Sequence, residues 1–193
     1  ISLARMRIQV RKKLPQASEA ACAVLDSSLI IAQRFGGKTL LHYNIRSGRL
    51  LWQIDGGDIS TEPIIADSLI FCAALYKHVD AYRRSNGRRL WQYRTPSQIH
   101  ASPALANGIL VVGLEDGLLL GLDALTGAKK WELDTGKNKS DGTTHTPFAG
   151  GIYATPVIRR QTVYVGTNDQ EFIAVDLLTG AESWRLPVGS KVI

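Results

Sequence analysis

The sequence predicts an all-β protein, a β-propeller of four-stranded antiparallel blades with about four blades present. Three observations predict this fold. A short motif that ends in tryptophan occurs four times, a proline recurs in fixed phase with three copies, and short strand-like segments fill the intervals. A period of about 40 residues built from short strands is typical of propellers. Long segments with helical periodicity, which helical repeats need, are missing.

The repeated motif is clearest at residues 121–131 and 174–184, where the pattern is Asp-x-x-Thr-Gly-x-x-x-Trp, and weaker at 43–52 and 81–91. The four tryptophans are Trp52, Trp91, Trp131 and Trp184, and each follows a glycine by four residues, namely Gly48, Gly87, Gly127 and Gly180. The tryptophan spacings are 39, 40 and 53 residues. Pro63, Pro103 and Pro156 each precede the next repeat tryptophan by one constant interval, and the same interval before Trp52 falls on Val24.

Each copy is predicted to form four short strands. They are expected at 21–25, 29–34, 39–44 and 49–54, at 60–66, 69–74, 77–83 and 88–94, at 101–106, 109–114, 118–123 and 128–134, and at 154–158, 162–167, 171–176 and 181–187. Turn residues such as Asn107-Gly108 and Asp116-Gly117 separate them. The second strands are apolar on both faces, as expected when sheets cover both sides. The predicted blades span residues 18–55, 56–95, 96–135 and 151–189.

The motif resembles the tryptophan docking motif of pyrroloquinoline-quinone (PQQ)-type propeller repeats. This superfamily includes quinoprotein dehydrogenases and a non-enzymatic envelope lipoprotein of outer-membrane barrel assembly. The resemblance covers residues 21–188 and includes Asp123 and Asp176. It implies that each tryptophan packs between adjacent blades. The first copy has Asn44 and Ser47 in place of Asp and Thr, and the second has Arg83 and Asn86, so docking is expected to be altered there.

A structural role for the four tryptophans also has a direct physical reason. A large flat ring buries much apolar area, and its N–H can reach a backbone carbonyl. The neighbouring glycine permits a tight turn and close approach. The alternative is a platform on which a sugar or quinone stacks, but such a platform needs one or two tryptophans rather than one in every repeat. The repetition therefore favours blade docking.

The PQQ-type propellers that this motif resembles typically close with about eight blades. Four blades would therefore leave apolar faces open. The last residues, 190–193, resemble the lead into a new first strand. We therefore expect a fragment or half-propeller, completed by missing blades of the same propeller or by self-association with a second copy. A closed four-bladed ring is the alternative. Residues 1–17 are expected to be a basic tail or a strand that completes a neighbouring blade.

The charge and the cysteines limit the classes of partner. The net charge is +6, from 23 Lys+Arg against 17 Asp+Glu, and much of the excess lies between Arg5 and Lys13 and at positions 83–89. An anionic partner would explain this excess, and so would a solvated tail with an exposed blade edge. Nucleic acid is not expected, because no RNA-binding signature is present. Cys22 and Cys72 are expected to be free buried thiols.

Residues 136–150 lengthen one connection between blades by about 13 residues relative to the others. In a propeller these connections share one end of the molecule with the turns between second and third strands, and we call this end the loop face. Its candidate ligand residues are Asp58, Ser60, Glu62, Gln98, His100, Asp116, His145, Asn168 and Asp169. A long polar loop is often a binding element. A tolerated surface insertion remains an equal alternative.

No motif of nucleophilic, phosphate-binding or zinc-dependent catalysis occurs, so no catalytic, cofactor or metal residues are assigned. The first hypothesis is a non-catalytic scaffold that binds a protein, peptide or other ligand. The resemblance favours a periplasmic or cell-envelope location. The alternative is part of a PQQ-dependent alcohol or sugar dehydrogenase, which would use PQQ and Ca²⁺. The family's enzymes carry adjacent cysteines and calcium carboxylates, and this chain has no adjacent cysteines. An anion-binding module is the third hypothesis.

Overall fold

The computed structural model of the protein describes residues 18, 20–136 and 150–190. The predicted tail at residues 1–17, the lead into a fifth blade at 191–193 and most of the insertion, 137–149, lie outside the described residues. Over the described part, the chain forms β-strands joined by turns and irregular segments. That part holds no helix of the length and apolar character needed to cross a membrane.

Sixteen strands are present in the described residues, and they form four sheets. Blade 1 contains β1 (Ala23–Leu25), β2 (Ser28–Ala32), β3 (Leu40–Asn44) and β4 (Leu50–Ile54). Blade 2 contains β5 (Ile64–Ala66), β6 (Leu69–Ala74), β7 (His78–Arg83) and β8 (Arg89–Arg94). Blade 3 contains β9 (Ala104–Ala106), β10 (Ile109–Gly113), β11 (Leu118–Asp123) and β12 (Lys129–Asp134). Blade 4 contains β13 (Val157–Arg159), β14 (Thr162–Gly166), β15 (Glu171–Asp176) and β16 (Glu182–Pro187).

Each sheet is antiparallel, with its strands side by side in sequence order. Together, the four up-and-down sheets confirm the predicted all-β propeller of four-stranded blades. Each predicted strand overlaps an observed one, and the ends differ by a few residues. In every blade the register between third and fourth strands shifts once, beside the repeat tryptophan, as at Gly121 and Leu122 in blade 3.

The core lies between blades rather than within them, since a single sheet has no interior of its own. The second strands of blades 2 and 3 are buried on both faces, and all five residues of β10 are buried. The outer strands alternate exposed and half-buried residues, as in β8. One apolar cluster joins blades 1 and 2, a second joins blades 2 and 3, and a third joins blades 3 and 4. This arrangement explains why the sequence of each second strand is apolar throughout.

Three tryptophans lie against the following blade with one shared geometry. The indole Nε1 atoms of Trp52, Trp91 and Trp131 donate to the backbone carbonyls of Arg84, Ala124 and Leu177, at 2.8, 3.0 and 2.8 Å. Each ring also covers the glycine of that blade's motif, namely Gly87, Gly127 or Gly180. A β-carbon on any of these glycines would lie within 3 Å of the indole ring. Because their φ angles are +71°, +74° and +73°, a larger residue would also be strained.

The aspartate and threonine of the motif stabilise the turn that carries this glycine. Oδ1 of Asp123 accepts from the backbone N–H groups of Leu125 and Thr126, at 3.0 and 2.9 Å, and from the Thr126 hydroxyl. Asp176 makes the same three hydrogen bonds in blade 4. In blade 1, the side-chain carbonyl of Asn44 replaces the carboxylate and accepts the equivalent three.

Altered docking, which the substitutions in the first two copies led us to expect, is not observed for the second copy; no tryptophan of the described residues docks on the turn of the first. Blade 2 has Arg83 at the aspartate position, yet Trp52 docks on this blade with the geometry of the other pairs. The acceptor is a backbone carbonyl, so the side chain at the aspartate position does not enter the contact. The turn needs its glycine and a free carbonyl, and Gly87 at φ +71° supplies the first.

The fourth tryptophan is in a different environment. Trp184 is 46% exposed, whereas Trp131 is 7% exposed. Leu186, two residues beyond Trp184, and Val157 on the first strand of the blade are also exposed. The equivalent leucine in blade 3, Leu133, packs into the cluster between blades 3 and 4. The outer side of blade 4 therefore presents apolar groups that other blades bury.

Blade 1 corrects two expectations. The hairpin of its second and third strands is two residues longer than in blade 2, since Ser28 pairs with Asn44 while Leu69 pairs with Arg83. Cys22, rather than Val24, therefore directly precedes the first strand, the position where the other blades have proline. Cys22 is exposed, so the expectation of two buried thiols was wrong for this cysteine. Cys72 is buried in β6, and burial raises the pKa of its thiol.

Candidate functional site

The loop face is organised by backbone hydrogen bonds between each inter-blade connection and the turns beside it. The N–H of Ile59 donates to the Gln33 carbonyl in the blade 1 turn, and the N–H of Leu75 in blade 2 donates to the Asp58 carbonyl. The same pattern occurs between blades 3 and 4, where the N–H of Ile152 donates to the Leu114 carbonyl. Each connection is thus fastened to two blades, which places its polar side chains beside those of the turns.

Three side chains meet where blades 3 and 4 adjoin, next to the long connection. The rings of His100 and Tyr153 stack with centroids 5.0 Å apart. The Tyr153 hydroxyl donates to Oε1 of Glu115 at 3.2 Å, and Nε2 of His100 lies 3.6 Å from the same oxygen. Burial raises the pKa of the Tyr153 phenol, and the Glu115 carboxylate acts in the same direction. We call these three residues the aromatic–acid cluster.

The loop face between blades 1 and 2 carries an ion pair and a buried histidine contact. Nε of Arg34 donates to Oδ1 of Asp58 at 3.1 Å. Nδ1 of His78 lies 2.6 Å from Oδ2 of Asp80, whose side chain is fully buried. Nε2, the other ring nitrogen of His78, lies against Gly57. A β-carbon added at Gly57 would lie 2.9 Å from this nitrogen. These partners hold the side chains in fixed positions at the rim.

The remaining predicted ligand residues occupy the same end but are not all in contact. Asp116 is exposed and caps its own turn by accepting from the Leu118 N–H at 3.2 Å. The Asn168 N–H donates to the Gly151 carbonyl, and Asn168 and Asp169 are half-buried in the blade 4 turn. Other predicted members are Ser60, which is half-buried, Glu62, which is exposed, and Gln98, whose carbonyl accepts from the Glu115 N–H. His145 lies outside the described residues.

Sequence reasoning missed Arg34, His78, Glu115 and Tyr153. Glu115 and Tyr153 contact each other across 38 residues of sequence, so no local pattern predicts the pair. A signal was nevertheless available, because Glu115 directly precedes Asp116 in a turn already assigned to this face. Tyr153 likewise lies three residues before Pro156, in the connection that carries the insertion.

The family resemblance implies PQQ with Ca²⁺ in its enzymes, and this group makes specific demands on a protein. Calcium requires several oxygen ligands around one point. No group of three or more His, Cys, Asp or Glu side chains converges within the described residues. The two cysteines lie in different blades. We therefore assign no ligands for the quinone or its calcium among the described residues, and we derive no chemistry through them.

Relatives include both an assembly factor and an alcohol dehydrogenase. The outer membrane protein assembly factor BamB of Nitrosomonas eutropha is 27% identical over 139 residues, which cover 72% of this chain and 32% of that protein. The quinohemoprotein alcohol dehydrogenase ADH-IIG of Pseudomonas putida is 27% identical over 169 residues, which cover 77% of this chain and 22% of that protein. The chain thus spans a third or less of the length of these two relatives.

A solved structure shows the same fold. BamB from Moraxella catarrhalis aligns with a TM-score of 0.75 at 21% identity, covering 88% of this chain and 53% of that one. At this identity the likeness establishes the fold alone. The family model for the outer membrane protein assembly factor BamB matches residues 7–192, almost the entire sequence. The chain therefore belongs to the family of the outer membrane protein assembly factor BamB, with PQQ-like repeats that build a β-propeller.

Proposed function

We propose that this chain is a non-catalytic propeller scaffold that binds a protein or peptide partner through its loop face. The observation that carries the proposal is the aromatic–acid cluster of His100, Glu115 and Tyr153. Its members come from one turn and two connections, and they fix each other's positions. Fixed aromatic and charged side chains on a rigid sheet framework suit protein contact, because little side-chain entropy is lost on binding.

The rest of the loop face supports the same function. The ion pair of Arg34 and Asp58 and the exposed Asp116 extend the polar rim over the first three blades. Such a surface, polar with an aromatic centre, resembles the anatomy of protein interfaces. The two described ends of the long connection, Gly136 and Gly150, lie against each other, and Tyr153 of the cluster follows Gly150 by three residues. This position favours a binding role for that connection over a neutral insertion. The family membership supports a partner in outer membrane protein assembly and a location in the cell envelope.

A site-specific crosslinking experiment tests the proposal. A photoreactive phenylalanine analogue is placed at Asp116 or at Asn168 on the loop face, in cells of the source organism. Matched controls carry it at Leu125 or Leu178, which are 75% and 50% exposed in turns at the opposite end of blades 3 and 4. We expect discrete protein adducts from the loop-face positions and none from the controls. Equal adducts from both ends, or adducts from the controls alone, would contradict the assignment.

The alternative function is part of a PQQ-dependent alcohol dehydrogenase, and it is supported by the 27% identity with ADH-IIG. In that case the loop face would border a quinone site, and the long connection would cover substrate rather than protein. The two functions differ in a direct observable, because only the enzyme binds quinone and transfers electrons to a dye. Quinone binding therefore separates the scaffold from the alternative.

A further inference from the structure

A cleft of about 290 Å³ opens between blades 1 and 2, at the end of the propeller opposite the loop face. Three turns surround it: β1–β2, β5–β6 and β7–β8. Its polar lining consists of Asp26, Ser27, Ser28, His42, Ser68, Arg84 and Ser85, and Leu51 completes the wall. This volume lies near the lower limit of ordinary ligand sites, so it suits a small molecule or a single polar group. The proposed partner-binding function makes no use of this cleft.

The backbone around the cleft is fixed by the docking of Trp52. The N–H of Arg84 donates to the Ser68 carbonyl at 2.8 Å, and the carbonyl of Arg84 accepts from Trp52 Nε1 at 2.8 Å. On the blade 1 side, the Ser27 carbonyl accepts from the Ile45 N–H at 2.8 Å. The serines and the arginine are therefore held in place by bonds that do not involve their side chains.

The cleft has one strong cationic donor. Nη1 of Arg84 lies 3.3 Å from Oδ2 of Asp26, and the two side chains are 25% and 71% exposed. Exposed ion pairs of this kind contribute little stability. A guanidinium has several N–H donors, and the contact with Asp26 engages one nitrogen. An anion could therefore bind Arg84 while the Asp26 carboxylate turns towards water.

The inner wall of the cleft holds a polar ring whose hydrogen bonds are not made. His42 is 4% exposed, and neither of its ring nitrogens has a hydrogen-bond partner of good geometry within the described residues. The nearby Arg84 carbonyl already accepts from Trp52, whose ring meets His42 edge-on at 5.1 Å. Burial lowers the pKa of His42, and the Arg84 charge acts in the same direction. The Arg84 backbone carbonyl, as an acceptor close to the ring, opposes this shift. A buried imidazole without a hydrogen bond of good geometry is costly, which is why such groups often mark ligand sites.

We propose that this cleft binds the oxyanion group of a small molecule, a phosphate or a carboxylate. Arg84 supplies the charge, the hydroxyls of Ser27, Ser68 and Ser85 supply neutral donors, and His42 forms the inner wall. Hydroxyl donors that line a cleft together with a guanidinium are the chemistry that oxyanions require. Asp26 acts as an internal competitor for Arg84, so its removal strengthens binding. This site is separate from the loop face, and its test is independent of the proposed function.

The experiment is a titration with inorganic phosphate, followed by nuclear magnetic resonance of the His42 ring and of the Ser27, Ser68 and Ser85 amides. We expect saturable shifts at these groups. Arg84→Gln weakens binding at least about tenfold, because it removes a charge-assisted hydrogen bond. Asp26→Asn, at an exposed position, is expected to tighten it by about threefold or more, because a competing charge is lost.

Arg83→Gln is the matched control, since Arg83 is exposed one residue away, does not line the cleft and carries the same charge. It is expected to leave the phosphate affinity unchanged. A parallel titration with acetate distinguishes the ligand sources: tighter phosphate binding indicates a phosphorylated molecule, and tighter acetate binding a carboxylate. The proposal is wrong if neither anion gives saturable shifts, if Arg84→Gln retains the shifts, or if Arg83→Gln weakens binding equally.

Discussion

Individual tryptophans in this propeller have the same sequence context but unequal roles in stability. Trp131 is almost completely buried between blades 3 and 4, and its Nε1 donates to the Leu177 carbonyl. Trp184 lies four residues after Gly180, as Trp131 does after Gly127, yet nearly half of it is exposed. Their difference follows from the blade that covers the ring, because the local turn is the same in both copies.

Trp131→Ala is expected to lower the free energy of unfolding by about 3–5 kcal/mol, the usual cost of a large-to-small change in a core. Trp184→Ala serves as the matched control and is expected to cost less than about 1.5 kcal/mol, because nearly half of the Trp184 side chain is already exposed in the fold. Urea denaturation of both variants measures the difference. Equal losses would mean that the docking of Trp131 contributes no more than a surface contact.

His42 gives a second prediction at the residue scale, concerning pH. Because burial lowers the pKa of His42 in the fold from its ordinary 6.5, the unfolded chain binds a proton more readily as the solution is acidified. The contribution of His42 is therefore fully present above about pH 6.5 and is lost as the pH falls through its lowered pKa in the fold. His42→Phe, which keeps an aromatic ring against Trp52, is expected to flatten this dependence.

Chemical denaturation of the native chain and the His42→Phe variant at several pH values checks this sign. The difference in the pH dependence of stability between the two proteins should appear below about pH 6.5, the ordinary pKa of histidine. If the native chain instead gains stability relative to the His42→Phe variant as the pH falls below about 6.5, the predicted sign is wrong.

At the scale of the element, the docking turn depends on its glycine more than on its polar residues. Asn44 reproduces the hydrogen bonds of Asp123, and blade 2 does without an acidic residue at this position. The glycine has no such substitute, because the indole of the preceding blade fills the space where a β-carbon would lie.

Gly127→Ala and Gly108→Ala form a matched pair that isolates this contact. Both glycines have nearly the same φ, +74° and +73°, so the backbone strain of alanine is similar. A β-carbon at Gly127 would lie 2.6 Å from the Trp91 ring, whereas at Gly108 nothing lies within 4 Å. We expect Gly127→Ala to destabilise the protein by about 1–3 kcal/mol more than Gly108→Ala, as overpacking does. Thermal unfolding that gives equal losses would show that strain alone matters.

The strands of this fold could be predicted because the signals that specify them are local. The alternation of turn residues, apolar second strands and one tryptophan per copy lies within each repeat. Blade 1 was predicted less well because the hairpin of β2 and β3 is two residues longer than its equivalent in blade 2. A count back from Trp52 then aligns Val24 with the prolines, when the structure places Cys22 there.

At the scale of the whole molecule, the loop face was predicted only in part. That connections and turns share one end follows from the up-and-down topology, which the repeats specify. Which side chains meet there depends on the rotation between neighbouring blades, and the sequence does not encode that rotation locally. Glu115 and Tyr153 therefore escaped prediction, although His100 beside them did not. The cleft at Arg84 escaped for the same reason, since its lining comes from turns of two blades.

The proposed scaffold function requires partner contacts at the surface of the propeller and no bound quinone. The most direct measurement is a calorimetric titration of the folded chain with PQQ and Ca²⁺, combined with an assay of dye-linked alcohol oxidation. For a scaffold, we expect no saturable binding of PQQ and no alcohol oxidation above the level of a control without protein. Saturable binding of PQQ accompanied by dye reduction would contradict it and establish the dehydrogenase function instead.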